Sequence, residues 1–263
     1  MAQTEPILSV VLPAFNEEAA LPEAIAQCGR LKERLPGSLQ VIVVDDGSTD
    51  ETAAVVGSLM PDRPWLQLER HEGNLGYGMA LRTGFAAATG TFVFFTDADN
   101  QFDLTEVAEH WSRLDELDML AGYRVYRYDP LPRLVASWGY NRLVRLLFRV
   151  QVRDVDCSFK IMRRSRLDSL VLLSTDFFID TELVARARKW NWRIGEVGVR
   201  HFPRRTGTTT VRPSDVPRTL RVVAKMWLQI HFPKRAAHAE ALAQQSYDRS
   251  ERRQHVDGAS DVS

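Results

Sequence analysis

Short, almost uninterrupted apolar segments alternate with segments whose apolar residues recur every three or four positions. "ILSVVLPAF" and "LQVIVV" are rich in β-branched and aliphatic residues, and each is followed by a polar turn and a helical pattern. Such runs are typical of strands buried on both faces, and a 3.6-residue period indicates an amphipathic helix. The first sixty residues therefore predict two parallel strands separated by helices, with Asn16 and either Ser48 or Thr49 as helix caps.

The same alternation continues to about residue 121. A third strand is predicted at residues 66–69, "EGNLGYGMALRTGFAAAT" opens a helix, and "TFVFF" is a fourth strand. This βαβαβαβ order predicts an α/β fold with a Rossmann-like, mostly parallel sheet that binds ligands at the carboxyl ends of its strands. The glycines follow the third strand in the order G-x-x-G-x-G, so the sequence lacks the dinucleotide fingerprint of dehydrogenases.

Beyond residue 121 the patterns indicate basic amphipathic helices. "LVASWGYNRLVRLLFRV" and "VPRTLRVVAKMWLQIHF" combine apolar residues at helical spacing with basic residues. Between them, "SFKIMRR" and "WRIGEVGVRHF" predict strands, and "TELVARARKW" predicts a helix. We expect one domain over residues 1–232, with a nucleotide-binding half at 7–121, an acceptor half at 122–215 and an amphipathic helix at 216–232. The polar tail, residues 233–263, is predicted to be disordered.

The charge distribution is uneven although the formal net charge of the 263 residues is zero. Between residues 123 and 166, eleven arginines and lysines face only three aspartates. Such a segment favours anionic partners, which include phosphates, nucleic acids and acidic lipid headgroups. The sequence shows neither a signal peptide nor an apolar segment long enough to span a membrane, so we expect a cytoplasmic protein.

Acidic residues follow the second and fourth predicted strands. Asp97 and Asp99 are two residues apart, and in extended backbone their carboxylates project to the same side, where Gln101 adds a third oxygen. Carboxylate and amide oxygens suit Mg²⁺ or Mn²⁺ shared with substrate phosphates, but a helix-capping loop has the same composition. Asp45 and Asp46 could accept hydrogen bonds from a ribose or base, or cap the following helix.

Seven motifs together have a recognisable order and spacing: "VVLPAFNEE", "VIVVDDGSTD", "NLGYGMALRTG", "DADNQ", "DVDCSFKIMRRS", "TEL" and "HFPRRTGTTTV". In this order the chain resembles family 2 inverting glycosyltransferases of the GT-A fold from residue 7 to about residue 215. Among them it is most similar to polyprenol-phosphate (dolichol-phosphate) mannosyltransferases and glucosyltransferases. The chain departs from the family pattern where Ser158 replaces a frequent glycine and where "TTTV" replaces a Ser-Lys pair.

The resemblance implies three groups of site residues and a Mg²⁺ or Mn²⁺ cofactor. The cation would be held by Asp97, Asp99 and Gln101. The acceptor phosphate would be bound by Arg124, Arg133 and Ser137. The nucleotide sugar would contact Pro13, Ala14, Asn16, Glu17, Asp45, Asp46, Asn74, Gly76, Ala98 and Arg204.

The acceptor decides whether the reaction needs a base. A sugar hydroxyl loses a proton as it attacks, whereas a polyprenyl phosphate is already an anion. Asp180 and Glu182 in "FFIDTEL" join Asp97 and Asp99 as candidate catalytic residues, but they could equally mark a helix start. The Q-x-x-R-W signature of processive polysaccharide synthases is missing from the sequence.

The predicted function is therefore metal-dependent, inverting transfer of a sugar to polyprenyl phosphate. GDP-mannose and UDP-glucose are the expected donors. A hydroxyl acceptor on a lipid or glycan is the alternative within the fold, and a non-catalytic phosphate- or lipid-binding module is the alternative outside catalysis. The two basic helices predict peripheral binding to the cytoplasmic face of a membrane, directly or through a membrane partner protein, and no nucleic-acid partner.

Overall fold

A computed structural model describes residues 5–126, 131–203 and 216–232. Its centre is one seven-stranded sheet with the strand order β3-β2-β1-β4-β6-β5-β7. The strands are β1 (Leu8–Ala14), β2 (Leu39–Asp45), β3 (Leu66–Arg70), β4 (Phe92–Phe95), β5 (Met119–Arg124), β6 (Lys160–Arg163) and β7 (Ile194–Val199).

The sheet is mostly parallel, which confirms the predicted fold class. β1 pairs in parallel with β2 and β4, and β2 pairs in parallel with β3. β6 is antiparallel to both of its neighbours, β4 and β5, while β5 and β7 are parallel. The strand order reverses on the two sides of β1, so the crevice above the carboxyl end of β1 is where a ligand of this fold binds.

The connections between the strands contain most of the helices, and the last helix follows the last strand along the chain. The helices are α1 (Leu21–Lys32), α2 (Thr52–Leu59), α3 (Tyr77–Ala87), α4 (Glu106–Glu109), a 3-10 helix (Trp111–Asp115), α5 (Leu131–Phe148), α6 (Arg164–Leu167), α7 (Ile179–Lys189) and α8 (Val216–His231).

The predicted caps of the first two helices were wrong. α1 begins at Leu21, five residues after Asn16, with a proline in its first turn. α2 begins at Thr52, whose backbone N–H donates to Asp50 Oδ1 over 3.0 Å. The expected cap residues instead make hydrogen bonds between the loops that follow β1 and β2, as described below.

The core lies on both faces of the central strands. Every residue of β1 and β2 is buried. α3 approaches β1 closely at Gly84, where an added Cβ would lie 2.2 Å from a methyl group of Val11. The Phe94 and Phe159 rings, with centroids 4.7 Å apart, join β4 to the segment before β6. This packing holds the carboxyl ends of β1, β2 and β4 in fixed positions.

The chain divides into two compact units, residues 1–211 and 212–263. In the second unit the structure describes α8, which alternates apolar residues such as Val223, Met226 and Ile230 with basic residues such as Arg221 and Lys225. Within the described ranges, no helix combines the length and the apolar character needed to cross a bilayer.

Candidate functional site

The loops that follow β1 and β2 are joined by hydrogen bonds. Asn16 has a positive φ of 56°. Its Oδ1 accepts the Thr49 N–H over 2.9 Å, and its own N–H donates to Ser48 Oγ over 2.9 Å. The Glu17 N–H donates to Thr52 Oγ1 over 2.9 Å. Residues 14–17 are thereby held beside the end of β2, where the predicted nucleotide pocket lies.

Asp45 presents an unusual carboxylate at the end of β2. It is fully buried and pairs with Ala14 across the β1–β2 register. Its Oδ1 accepts the Ser48 N–H over 2.8 Å. Its Oδ2 lies 3.2 Å from Arg70 Nε but has no hydrogen-bond partner among the described residues. A buried acceptor without a donor is costly, so this oxygen is suited to a ligand that brings a hydroxyl or N–H group.

Asp46 holds the glycine-rich segment between β3 and α3. Its two oxygens accept the backbone N–H groups of Leu75 and Gly76 over 2.9 and 2.8 Å. The His71 ring bridges Asp46 and Thr83, with distances of 2.7 and 2.9 Å. This arrangement indicates that Asp46 shapes the loop, and the predicted donor-binding role of Asn74 and Gly76 depends on that shape.

Glycines let the same loop approach the segment before α7. Gly76 has a φ of 99°, and a Cβ there would lie 2.4 Å from the Thr175 carbonyl oxygen. The Gly78 N–H donates to that oxygen over 2.9 Å. No side chain larger than hydrogen fits at Gly76 without displacing the Thr175 backbone.

The two acids after β4 lie at the same edge of the sheet as Asp45. The chain turns at residues 98–100, with Asn100 at a φ of 60°, so the extended backbone on which the same-side projection of Asp97 and Asp99 depends is not formed. Asp99 is buried, and its Oδ1 accepts the Gln101 N–H over 3.1 Å. Ala98 is buried, and the Gln101 side-chain amide donates to the Phe202 carbonyl over 3.0 Å.

Asp97 is half-buried and lies among hydroxyl groups. Ser158 Oγ donates to Asp97 Oδ2 over 2.7 Å. The pKa of Tyr77 is raised well above its ordinary value, first by burial, then by the charges of Asp97 and Asp180 and by a hydrogen bond to Asp97. Tyr77 therefore stays protonated and donates to the carboxylate.

Asp97 and Asp99 supply the type of oxygen atom that would bind a divalent cation shared with a substrate. Across the described parts of the chain, no three His, Cys, Asp or Glu side chains group closely enough to hold a metal ion. Mg²⁺ is commonly bound through one or two carboxylates, with substrate phosphates and water completing the shell. The two carboxylates, at the edge formed by the carboxyl ends of β1, β2 and β4, match this pattern. A substrate diphosphate would supply further ligands to the cation.

Buried charges pair beneath these acids. Lys160 is fully buried and donates to Asp180 and to the Cys157 carbonyl. Burial raises the pKa of Asp180 to about 6, although the ammonium group of Lys160 opposes the shift. Burial and the charges of Asp154 and Asp180 raise the pKa of Asp156 to about 7.

Glu182 is committed to the backbone of the preceding segment. It is buried, and its carboxylate accepts the N–H groups of Leu173 and Ser174, the latter over 2.7 Å. Arg186 Nε donates to its other oxygen over 2.7 Å. Because α7 begins at Ile179, Asp180 and Glu182 both lie in its first turn, which agrees with the alternative interpretation that they mark a helix start.

The residues predicted to bind the acceptor phosphate are only partly described. Arg124, with 11% of its side chain exposed, forms a two-point ion pair with Asp154 at 2.7 and 2.8 Å. Ser137 lies on α5, and its carbonyl accepts the Asn141 side chain over 3.0 Å. The Arg133 side chain and all of Arg204 lie outside the described residues.

Sequence reasoning missed several members of this cluster. Tyr77, Asp154, Asp156 and Lys160 received no role, although all four lie within the quoted motifs. The local sequence carries no signal for them because their partners are distant along the chain, as the 61 residues between Asp97 and Ser158 illustrate.

Comparison with known proteins supports the family resemblance. The family model described as "Glycosyl transferase family 2" matches residues 9–171. The chain is 31% identical over 229 residues to dodecaprenyl-phosphate galacturonate synthase of Rhizobium johnstonii, covering 86% of this chain and 67% of that protein. It is 28% identical over 213 residues to dolichyl-phosphate beta-glucosyltransferase of Dictyostelium discoideum, covering 73% of this chain and 65% of that protein.

Two further matches either cover a small part of the relative or have low sequence identity. The chain is 32% identical over 208 residues to glycosyltransferase AglD of Haloferax volcanii, covering 75% of this chain but only 33% of that protein. Glucosyl-3-phosphoglycerate synthase of Mycobacterium tuberculosis, solved with Mn²⁺, UDP and glucosyl-3-phosphoglycerate, aligns with a TM-score of 0.65 at 22% identity, covering 86% of this chain and 80% of that chain. The latter match establishes the shared GT-A fold.

Proposed function

The chain belongs to glycosyl transferase family 2, and on that premise we propose that it transfers a hexose from a nucleotide sugar to polyprenyl phosphate with inversion. The proposed donors are GDP-mannose, which would supply mannose, and UDP-glucose, which would supply glucose. Two of the relatives described above are named for polyprenyl-type phosphates, dodecaprenyl phosphate and dolichyl phosphate.

The main support for a phosphate acceptor is that both carboxylates on α7 already have hydrogen-bond and ion-pair partners. Asp180 is paired with Lys160, and Glu182 accepts two backbone N–H groups and Arg186. A general base must reach the proton that it removes, and both carboxylates are already occupied by donors. An acceptor that arrives as an anion fits this arrangement because it needs no base.

The donor would bind along the edge formed by the carboxyl ends of β1, β2 and β4. The Oδ2 of Asp45, which lies near Arg70 but accepts no hydrogen bond from the described residues, suits a hydroxyl or N–H of the nucleoside. Asp97 and Asp99 would hold Mg²⁺ or Mn²⁺ on the diphosphate, where the cation supplies positive charge that stabilises the leaving group. The Mycobacterium tuberculosis enzyme of the same fold was solved with Mn²⁺ and UDP, which supports this choice of cofactor.

One surface of the chain suits the membrane that contains a polyprenyl acceptor. On α5, Leu131, Val135, Trp138 and Leu146 are each at least 66% exposed. They recur at helical spacing with Arg142, which is exposed and forms no ion pair with the described residues. Apolar side chains beside unpaired arginines favour an anionic lipid surface. We therefore propose peripheral binding through α5 at the cytoplasmic face.

The deciding experiment supplies the purified chain with radiolabelled GDP-mannose, UDP-glucose or UDP-galacturonate and with polyprenyl phosphate. We expect label in the lipid phase with Mn²⁺ or Mg²⁺ and none after chelation. Asp99→Asn should lose transfer by on the order of 100-fold, whereas Asp62→Asn, an exposed acid after α2, should keep it. Label that appears only as free sugar or on a hydroxyl acceptor would overturn the proposed acceptor.

A hydroxyl acceptor remains the second candidate because of Asp156. Its carboxyl is half-buried, and a pKa of about 7 is suited to a general base. If Asp156 deprotonates a hydroxyl, Asp156→Asn should abolish transfer while nucleotide binding is kept. If the acceptor is a phosphate, transfer should survive this substitution.

A further inference from the structure

Ser158 faces the first carboxylate of the candidate metal site across the sheet. β4 and β6 are antiparallel, with Phe95 opposite Lys160. Extending this register by two residues places Ser158 opposite Asp97, beyond the ends of both strands. The hydrogen bond from Ser158 Oγ to Asp97 Oδ2, at 2.7 Å, is the side-chain contact that this register predicts.

The backbone around Ser158 is held on both sides. Its side chain is buried, with 4% of the residue exposed. The Cys157 carbonyl accepts the buried ammonium group of Lys160. The Phe159 carbonyl accepts the Gly122 N–H over 2.7 Å. The hydroxyl therefore has a fixed position from which to orient Asp97.

We propose that Ser158 is a positioning residue for the divalent cation. Its hydrogen bond fixes the rotamer of Asp97 and occupies Oδ2, so that the carboxylate is oriented before the cation and diphosphate arrive. The inference rests on the proposed function, because it requires Asp97 and Asp99 to hold the cation. It adds a residue that makes no contact with the cation itself.

The expected effect is a loss of metal affinity. Groups that orient a metal ligand through a hydrogen bond typically contribute 10- to 100-fold to metal affinity. Tyr77 also hydrogen-bonds to Asp97, so Ser158→Ala removes only one of two side-chain donors to this carboxylate. We therefore expect Ser158→Ala to weaken Mn²⁺ binding by about tenfold, at the lower end of that range.

The test measures Mn²⁺ binding to the full chain by electron paramagnetic resonance, with saturating UDP and, separately, GDP. Ser158→Thr keeps the hydroxyl and should bind Mn²⁺ nearly as tightly as the wild type. Ser9→Ala is the matched control, because Ser9 is a fully buried serine of the same sheet that donates to Gln40, remote from the acids. Thermal unfolding of each variant separates loss of the fold from loss of the metal.

The outcomes separate this inference from the proposed function. If the wild type binds no Mn²⁺ with either nucleotide, the metal site itself is refuted. If the wild type binds and Ser158→Ala binds equally tightly, the role of Ser158 is refuted while the metal site stands. If Ser158→Ala does not fold, Ser158→Gly replaces it, and a folded Gly variant with wild-type affinity overturns the inference. Weaker binding in the Ala or Gly variant, restored in Ser158→Thr, supports it.

Discussion

Glu182→Gln distinguishes a structural carboxylate from a catalytic base. The wild-type carboxylate accepts two backbone N–H groups, from Leu173 and Ser174, and pairs with Arg186 at 2.7 Å. Glu182 is 1% exposed and the Arg186 side chain 10%. Removing one charge of a buried ion pair costs about 3–5 kcal/mol because the other charge is left buried. We expect the free energy of unfolding to fall by about this amount.

The same change should weaken nucleotide binding through the backbone. Leu173 and Ser174 lead into Thr175, whose carbonyl accepts the Gly78 N–H and lies against Gly76. The glutamine amide offers one acceptor oxygen in place of two, so this segment loses part of the acceptor that fixes it. The glycine-rich loop would then lose its support from the side opposite Asp46. Calorimetric titration with UDP or GDP in the presence of Mn²⁺ should show reduced affinity.

Urea unfolding measures the stability term, and the surface pair Glu23–Arg30 provides the control. Its side chains are 55% and 51% exposed at a separation of 2.6 Å. Exposed ion pairs contribute about 0–1 kcal/mol, so Glu23→Gln should unfold almost like the wild type. A Glu182→Gln variant with unchanged unfolding and nucleotide affinity but with no turnover would refute the structural role and identify a base.

Three further predictions follow from the buried charges and from α5. Arg124→Ala should destabilise the fold by about 3–5 kcal/mol because it removes one charge of a buried ion pair. The Arg124→Met/Asp154→Leu double variant should recover most of the loss in urea unfolding. A loss of acceptor affinity at unchanged stability would instead show that Arg124 binds phosphate. The pKa of Asp156 rises from 3.8 to about 7 on folding, so the folded state binds the proton more tightly. The free energy of unfolding should therefore fall as pH rises from about 4 to about 7. Asp156→Asn should reduce this pH dependence in unfolding experiments. Trp138→Ala should reduce flotation with anionic vesicles at low salt, while Trp190→Ala, which changes a similarly exposed tryptophan just after α7, should not.

The strands that the sequence predicts best are those buried on both faces. β1, β2 and β4 consist of continuous buried residues, so composition alone is enough to identify them. β5 was missed because "MLAGYR" contains a glycine and ends in polar residues. Gly122 is required there by a neighbour remote in sequence, since an added Cβ would lie 2.9 Å from Phe159 Cβ. A tertiary contact, which no local pattern records, decides this position.

The site shows the same division between local and distant signals. The acids at the strand ends could be predicted, because Asp45 directly follows an apolar run and Asp97 and Asp99 come within four residues of one. The ion pairs among the charged residues could not be predicted, because partners such as Arg124 and Asp154 are 30 residues apart. The predicted cap Asn16 bonds to a residue 33 positions away for the same reason.

The uneven charge of the chain has a structural explanation that narrows where an anionic partner can bind. Acids of the first half neutralise several arginines of the second half: Asp118 pairs with Arg166 and Arg193, and Glu106 pairs with Arg200. These pairs neutralise three arginines, so the basic half is not uniformly available to anions. On α5, Arg142 and Arg145 form no ion pair with the described residues, and they lie among exposed apolar side chains. An isolated surface charge retains its attraction for phosphate, whereas a paired one does not. If an anionic membrane is the partner, α5 is therefore the surface where its binding should depend most steeply on salt.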